Sequence, residues 1–195
     1  YMLMAITTAL TVPISLILVR TILVDQVGWE AAGHWQAVWK ISEVYLGVIT
    51  MALGTYYLPR LSSLVGVDAI VNEIHRTALV IIPIVGVMAL GVYLLRDVAI
   101  WLLFTEEFRS ARDLFAIQLC GDVAKIASWL YAYPMLSRGA AKWFMTTEVF
   151  FSIIFVIISY LLILSMGTKG AALAYAINYS LYFIFVFANV KRFSR

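Results

Sequence analysis

Asp122 and Lys125 stand three residues apart in LCGDVAKIASW, one helical turn of an otherwise uncharged stretch. If a helix over about 113–136 crosses a membrane, the pair divides it into uncharged runs of roughly 8 and 12 residues, reaching about 12 and 18 Å. Neither run crosses a ~30 Å hydrocarbon core alone, so both groups lie deep. An ionisable group at that depth costs on the order of 2.5–3.5 kcal/mol and marks a substrate or ion path. The same spacing also suits an ion pair that neutralises itself between helices. Both readings are open.

A second constellation lies on 36–54. Gln36, Lys40, Glu43, Gly47, Thr50 and Gly54 follow 4-3-4-3-4 spacing and share one helix face. A polar and glycine stripe does not suit lipid, so it predicts a cavity or a close neighbour. The uncharged run 44–58 reaches only ~22 Å. Lys40 and Glu43 therefore sit at or just inside the outer bilayer boundary, where Lys40 can snorkel to the surface. Arg20 falls where a first helix would naturally end. In the last helix Tyr175, Asn178, Tyr182 and Asn189 recur at helical spacing, suited to sugar hydroxyls or to interhelical hydrogen bonds.

The elements that must position these groups follow from composition. Of 195 residues, 64% are hydrophobic and 13% charged, with mean hydropathy +0.95. Soluble domains are nearer half apolar and a quarter charged, so the chain reads as an all-α integral membrane protein. Six membrane helices are expected at about 1–19, 36–58, 77–95, 113–136, 144–166 and 171–190, forming one bundle over 1–195. Pro13 and Pro83 kink the first and third, Pro59 stops the second, and Pro134 lies near the end of the fourth.

Loops are expected at 20–35, with Trp29, Trp35 and Trp39 marking a headgroup boundary, and at 96–112. The amphipathic stretch 68–76 is expected along the surface. The fifth helix, dense in Phe and Ile, faces lipid over much of its surface. Because the chain opens inside a hydrophobic segment without Met, a fragment of a longer protein is expected.

Topology follows from Lys and Arg. If the first helix leaves the cytoplasm, Arg60, Arg76, Arg138, Lys142, Lys191, Arg192 and Arg195 are cytoplasmic, against Arg96, Arg109, Arg112 and Lys169 opposite. That imbalance favours this orientation. YYLPRLS and YAYPMLS, near the ends of the second and fourth helices, share Tyr, Pro, Leu and Ser in register.

Enzyme signatures are absent. The single cysteine, Cys120, rules out an internal disulfide and a multi-cysteine metal site. His34 and His75 are isolated and expected on loops, and there is neither a nucleophile elbow nor a P-loop. Glu106 and Glu107, with Arg109 and Arg112, read as a charged hairpin. A net charge of +3 is no nucleic-acid footprint.

Three stretches, GWEAAGHWQAVWKISEVYLGVITMALGTYYLPRLS, LLRDVAIWLLFTEEFRSARDLFAIQLCGDVAKIASW and GTKGAALAYAINYSLYF, carry a family likeness in their order and spacing. They resemble the C-terminal half of Wzx-type polysaccharide flippases, the O-antigen and enterobacterial common antigen translocases. These belong to the multidrug/oligosaccharidyl-lipid/polysaccharide exporter superfamily. The resemblance covers essentially the whole chain through diffuse patterns rather than a sharp motif.

It implies a twelve-helix inner-membrane protein of two six-helix bundles, with the N-terminal six-helix half outside this sequence. It implies alternating access that carries an undecaprenyl-diphosphate-linked oligosaccharide from the cytoplasmic to the periplasmic leaflet. No cofactor is expected, a proton or sodium gradient is the candidate drive, and a polysaccharide polymerase and a chain-length regulator are the candidate partners. The candidate cavity residues are then Lys40, Glu43, Asp122, Lys125, Arg20, Gln36 and Asn178. Lysines would attract the diphosphate as point charges, and Asp122 or Glu43 would exchange a proton between access states.

Other readings remain. A drug or small-organic-ion exporter of the same fold would use the acidic residues to bind a cation. A glycan polymerase or ligase would need a large periplasmic loop, which the short outer loops do not supply. An inactive fragment or scaffold needs none of these charges.

Overall fold

The computed structural model describes residues 2–103 and 111–194. The expected hairpin at Glu106, Glu107 and Arg109 lies outside them. Regular structure among the described residues is entirely helical, as the composition requires. The helices are α1 (Met2–Gln26), α2 (Trp29–Ala52), a π-helical turn (Leu53–Tyr57), α3 (Leu58–Ser63), α4 (Val67–Leu103), α5 (Arg112–Ser137), α6 (Ala141–Met166) and α7 (Thr168–Phe193).

Several boundaries differ from the sequence-based expectation for one physical reason: charge does not break a helix. The expected loop at 20–35 is helical except at Val27 and Gly28. Arg20, Asp25 and Glu30 lose little in a helix, and the chain turns only at Gly28, whose φ of 109° L side chains rarely adopt. Residues 96–103 likewise continue α4. The stretch 68–76 opens that helix instead of lying apart on the surface, with Asp68 in its first turn where the helix dipole favours an anion. His34 and His75, expected on loops, sit on α2 and α4, and His34 is buried.

Pro59 does not stop the second helix. The π turn intervenes, with the Leu58 N–H bonded to the Leu53 carbonyl five residues back. Pro59 then falls in the first turn of α3, directly after the hydrogen-bond register has shifted, and the chain stays helical through it.

The core gathers around α5. This helix packs most extensively on α7 and also meets α4, α2 and α6. Ala171, Ala172 and Ala174 of α7 are fully buried and let the backbones approach. On the α5 side Gly121 is needed: a Cβ there would lie 2.4 Å from Cδ1 of Tyr175 and 3.1 Å from the Cα of Ala176.

At one side α1 packs chiefly on α6. There α6 buries Thr147, Phe151, Phe155, Ser159 and Ile163, every fourth residue. Its opposite face, with Phe150, Ile153 and Ile157, is exposed, the lipid-facing arrangement its composition predicts.

Among the described residues, five helices are long and apolar enough to cross a membrane: α1, the continuous rod Trp29–Ser63, α4, α6 and α7. The fold is an all-α membrane bundle. Helix α5 equals α6 and α7 in length, at 26 residues, but is the more polar and sits among them. A helix enclosed by other helices need not be apolar all round.

Candidate functional site

Asp122 is completely buried, at 0% exposure. One carboxylate oxygen accepts a hydrogen bond from the Tyr45 hydroxyl at 2.7 Å, and the other accepts one from Tyr175 at 2.8 Å. One carboxylate thus ties α2, α5 and α7 together. A buried carboxylate needs such donors, because leaving it bare in a low-dielectric interior is costly. It makes no ion pair with Lys125 among the described residues. The reading of Asp122 and Lys125 as a self-neutralising pair is therefore corrected: the two point to different surroundings, and tyrosine hydroxyls do the work an ammonium would have done.

Lys125 faces a cavity of about 560 Å³ instead. Its Nζ lies 5.1 Å from the ring centroid of Trp129, 5.4 Å from Tyr179, 5.6 Å from Trp39 and 5.8 Å from Tyr175. Each distance is within cation–π range. The rings come from α2, α5 and α7, so the cage is a product of the tertiary fold. Tyr175 serves two sites at once: its ring forms one wall of the cage and its hydroxyl is held by Asp122. Asp122 does not line the cavity and acts on it through Tyr175.

The remaining walls are mixed. Thr8, Pro13 and Ser15 of α1, Glu43 of α2, Tyr133 of α5, and Thr147, Glu148 and Ser152 of α6 all line the space. Asn178 of α7 lines it too and is 5% exposed, with its side-chain oxygen lacking a hydrogen-bond partner among the described residues.

The predicted residues thus separate. Glu43, Lys125 and Asn178 are brought together on the cavity. Lys40 pairs with Glu43 at 2.8 Å but is itself exposed and does not line the cavity. Arg20 and Gln36 are exposed and lie away from it. Arg20 lies on an exposed face of α1, which runs on to Gln26 rather than ending beside it. The stripe on 36–54, expected against a cavity or neighbour, is largely uncovered in this chain, and a Cβ at Gly47 or Gly54 would meet nothing within 4 Å.

The spacing of charges missed Glu148. It is the one charge inside the apolar run of α6, near its start, and reads from sequence as an interfacial group. An inward position was nonetheless visible in its place beside Thr147 and four residues before Ser152. Gln118, one turn before Asp122 and 1% exposed, has neither side-chain oxygen nor nitrogen hydrogen-bonded among the described residues.

Against known proteins, no family model matches and no solved structure matches. Two curated relatives do match. The chain is 37% identical over 183 residues to the lipid III flippase of Escherichia coli (strain K12), and equally so to that of Shigella flexneri. The chain is homologous to the lipid III flippases. The match covers 94% of this chain and 44% of each relative, so the chain spans less than half their length. With five membrane-length apolar helices, this homology identifies a multi-pass protein of the bacterial inner membrane.

Proposed function

We propose that this chain is one six-helix bundle of a flippase for a lipid-linked oligosaccharide, with α5 crossing the membrane among the five apolar helices. The observation that carries the reading is Lys125, an ammonium with no ion pair among the described residues, facing an aromatic cavity in a chain homologous to lipid III flippases. A diphosphate–sugar headgroup cannot cross ~30 Å of hydrocarbon bare, since each unpaired polar group costs kcal/mol. A cavity with a cation, aromatic faces and amide and hydroxyl groups offers a substitute for water.

Lys125 would take the diphosphate, and Trp129, Tyr133 and Tyr179 would stack on sugar rings, with Asn178 offering its free oxygen to a hydroxyl. Asp122 would position Tyr175 rather than touch substrate. The uncovered stripe of Lys40, Glu43, Thr50 and the two glycines is the face we assign to a second bundle that closes the cavity. Transport from the cytoplasmic to the periplasmic leaflet would proceed by alternating access, drawing on a proton or sodium gradient, and the glycan would be of the enterobacterial common antigen type rather than O-antigen. The homology supports a transporter.

The test is complementation. The gene at its natural length, placed in an E. coli strain lacking its lipid III flippase, should restore surface enterobacterial common antigen, and Lys125→Ala should lower that restoration at least about tenfold. Failure of the parent gene, with the protein present in the membrane, would overturn the reading.

A further inference from the structure

We propose that Lys125 is the residue that sets the charge selectivity of the cavity, by occupying an aromatic cage that would otherwise receive an organic cation. The proposal rests on the cavity being the substrate site. Four rings surround the Lys125 ammonium at 5.1 to 5.8 Å, from Trp129, Tyr179, Trp39 and Tyr175. The negative faces of such rings attract a cation of any origin, and an alkylammonium most of all because it is weakly hydrated.

The surrounding charges reinforce this. Glu43 of α2 and Glu148 of α6 line the same cavity, and Asp122 of α5 lies behind the Tyr175 wall. These three carboxylates are the charges close enough to Lys125 to interact with it electrostatically. Neither Glu43 nor Glu148 is within ion-pair distance of it, so the ammonium is held by the cage and a diffuse acidic field and not by a fixed bridge.

Two consequences follow. With Lys125 in place, the cage is full and a second cation meets a like charge at close range. With Lys125 removed, four ring faces and two cavity-lining carboxylates remain without a counter-charge, in a space of about 560 Å³ that admits a small quaternary ammonium ion. One side chain therefore separates a site that draws an anion to a displaceable lysine from a site that binds cations.

The experiment is direct binding, independent of transport. The protein at its natural length, in nanodiscs, is titrated calorimetrically with tetramethylammonium chloride against a matched sodium chloride background. Lys125→Ala should bind tetramethylammonium at least about tenfold more tightly than the parent. Adding Glu148→Gln to that variant should return affinity toward the parent value. If the alanine variant does not stay monodisperse, Lys125→Gln carries the same expectation in the same direction. Equal affinity in parent and uncharged variant would overturn the proposal, and so would tight binding by the parent. Either result leaves the flippase reading to be judged by complementation alone.

Discussion

The Tyr57 hydroxyl donates a 3.1 Å hydrogen bond to the Leu130 carbonyl. That carbonyl is the one Pro134, having no N–H, cannot satisfy within α5. The π turn delivers the donor: Tyr57 is 5% exposed while its neighbour Tyr56 is 77% exposed. The irregular turn in one helix thus caps the vacancy that a proline opens in another, and the rings of Tyr57 and Tyr133 meet at 5.4 Å beside it. The two Tyr- and Pro-containing stretches whose likeness was visible in sequence lie side by side.

Tyr57→Phe should destabilise the fold by about 0.6–1.7 kcal/mol, the range for interhelical bonds in membranes. In a Pro134→Ala background the new N–H takes over the carbonyl, and the same change should be nearly silent. A double-mutant cycle by detergent-induced unfolding measures this, and equal costs in both backgrounds would disprove the capping role.

Asp122→Asn should cost about 1–3 kcal/mol, because the amide oxygen can accept from one tyrosine while its NH₂ cannot accept from the other. Removing the orphaned hydroxyl as well, in Asp122→Asn/Tyr175→Phe, should cost less than the sum of the single changes. Thermal unfolding of the detergent-solubilised protein distinguishes this from simple additivity.

Gly121→Ala should destabilise by about 1–3 kcal/mol through overpacking against Tyr175, and should disturb the cage by pushing its wall. Gly47→Ala and Gly54→Ala meet open space within this bundle and should leave its stability unchanged or raise it by up to ~1 kcal/mol through helix propensity. Loss of transport by these two variants, with the bundle intact, would place a second bundle against α2.

Lys169→Ala removes a 2.8 Å bridge to Asp113 whose side chains are 51% and 64% exposed. Surface pairs of this kind contribute little, so unfolding should shift by less than about 1 kcal/mol and antigen restoration should be unaffected. A larger effect would mean this bridge joins α5 and α7 more firmly than its exposure implies.

Composition and helical spacing made the membrane bundle legible, and the depth calculation set Asp122 and Lys125 apart together from the other charges of the chain. The same calculation did not separate Lys125 from Asp122, since depth says nothing about direction. The partners that decide direction are remote: Tyr45 and Tyr175 lie 77 and 53 residues from Asp122 in the chain. Segment 20–35 was misread because its charges resemble a loop, whereas only Gly28 actually prevents the helix. Glu148 was passed over for the converse reason: a single charge near the start of an apolar helix reads as interfacial, and only its place on the Thr147–Ser152 face hints that it lines the cavity.

Helix α4 holds 37 residues, a rise of about 55 Å against ~30 Å of hydrocarbon. Its exposed large apolar residues begin at Leu79 and run to Leu102, while Asp68, Glu73, His75 and Arg76 precede them. Its first turns therefore stand clear of the bilayer as a rigid post, braced by the 3.3 Å Arg60–Glu73 pair and, at its base, by the Arg138 guanidinium donating to the Leu64 carbonyl at 2.6 Å. The post and the first turn of the span form one uninterrupted helix, and Pro83 stands just beyond their junction. A tilt of the segment of α4 that enters the membrane, before Pro83, is carried to the aqueous side, where a spin label or an antibody fragment placed on the post can read it, or arrest it, without entering the lipid.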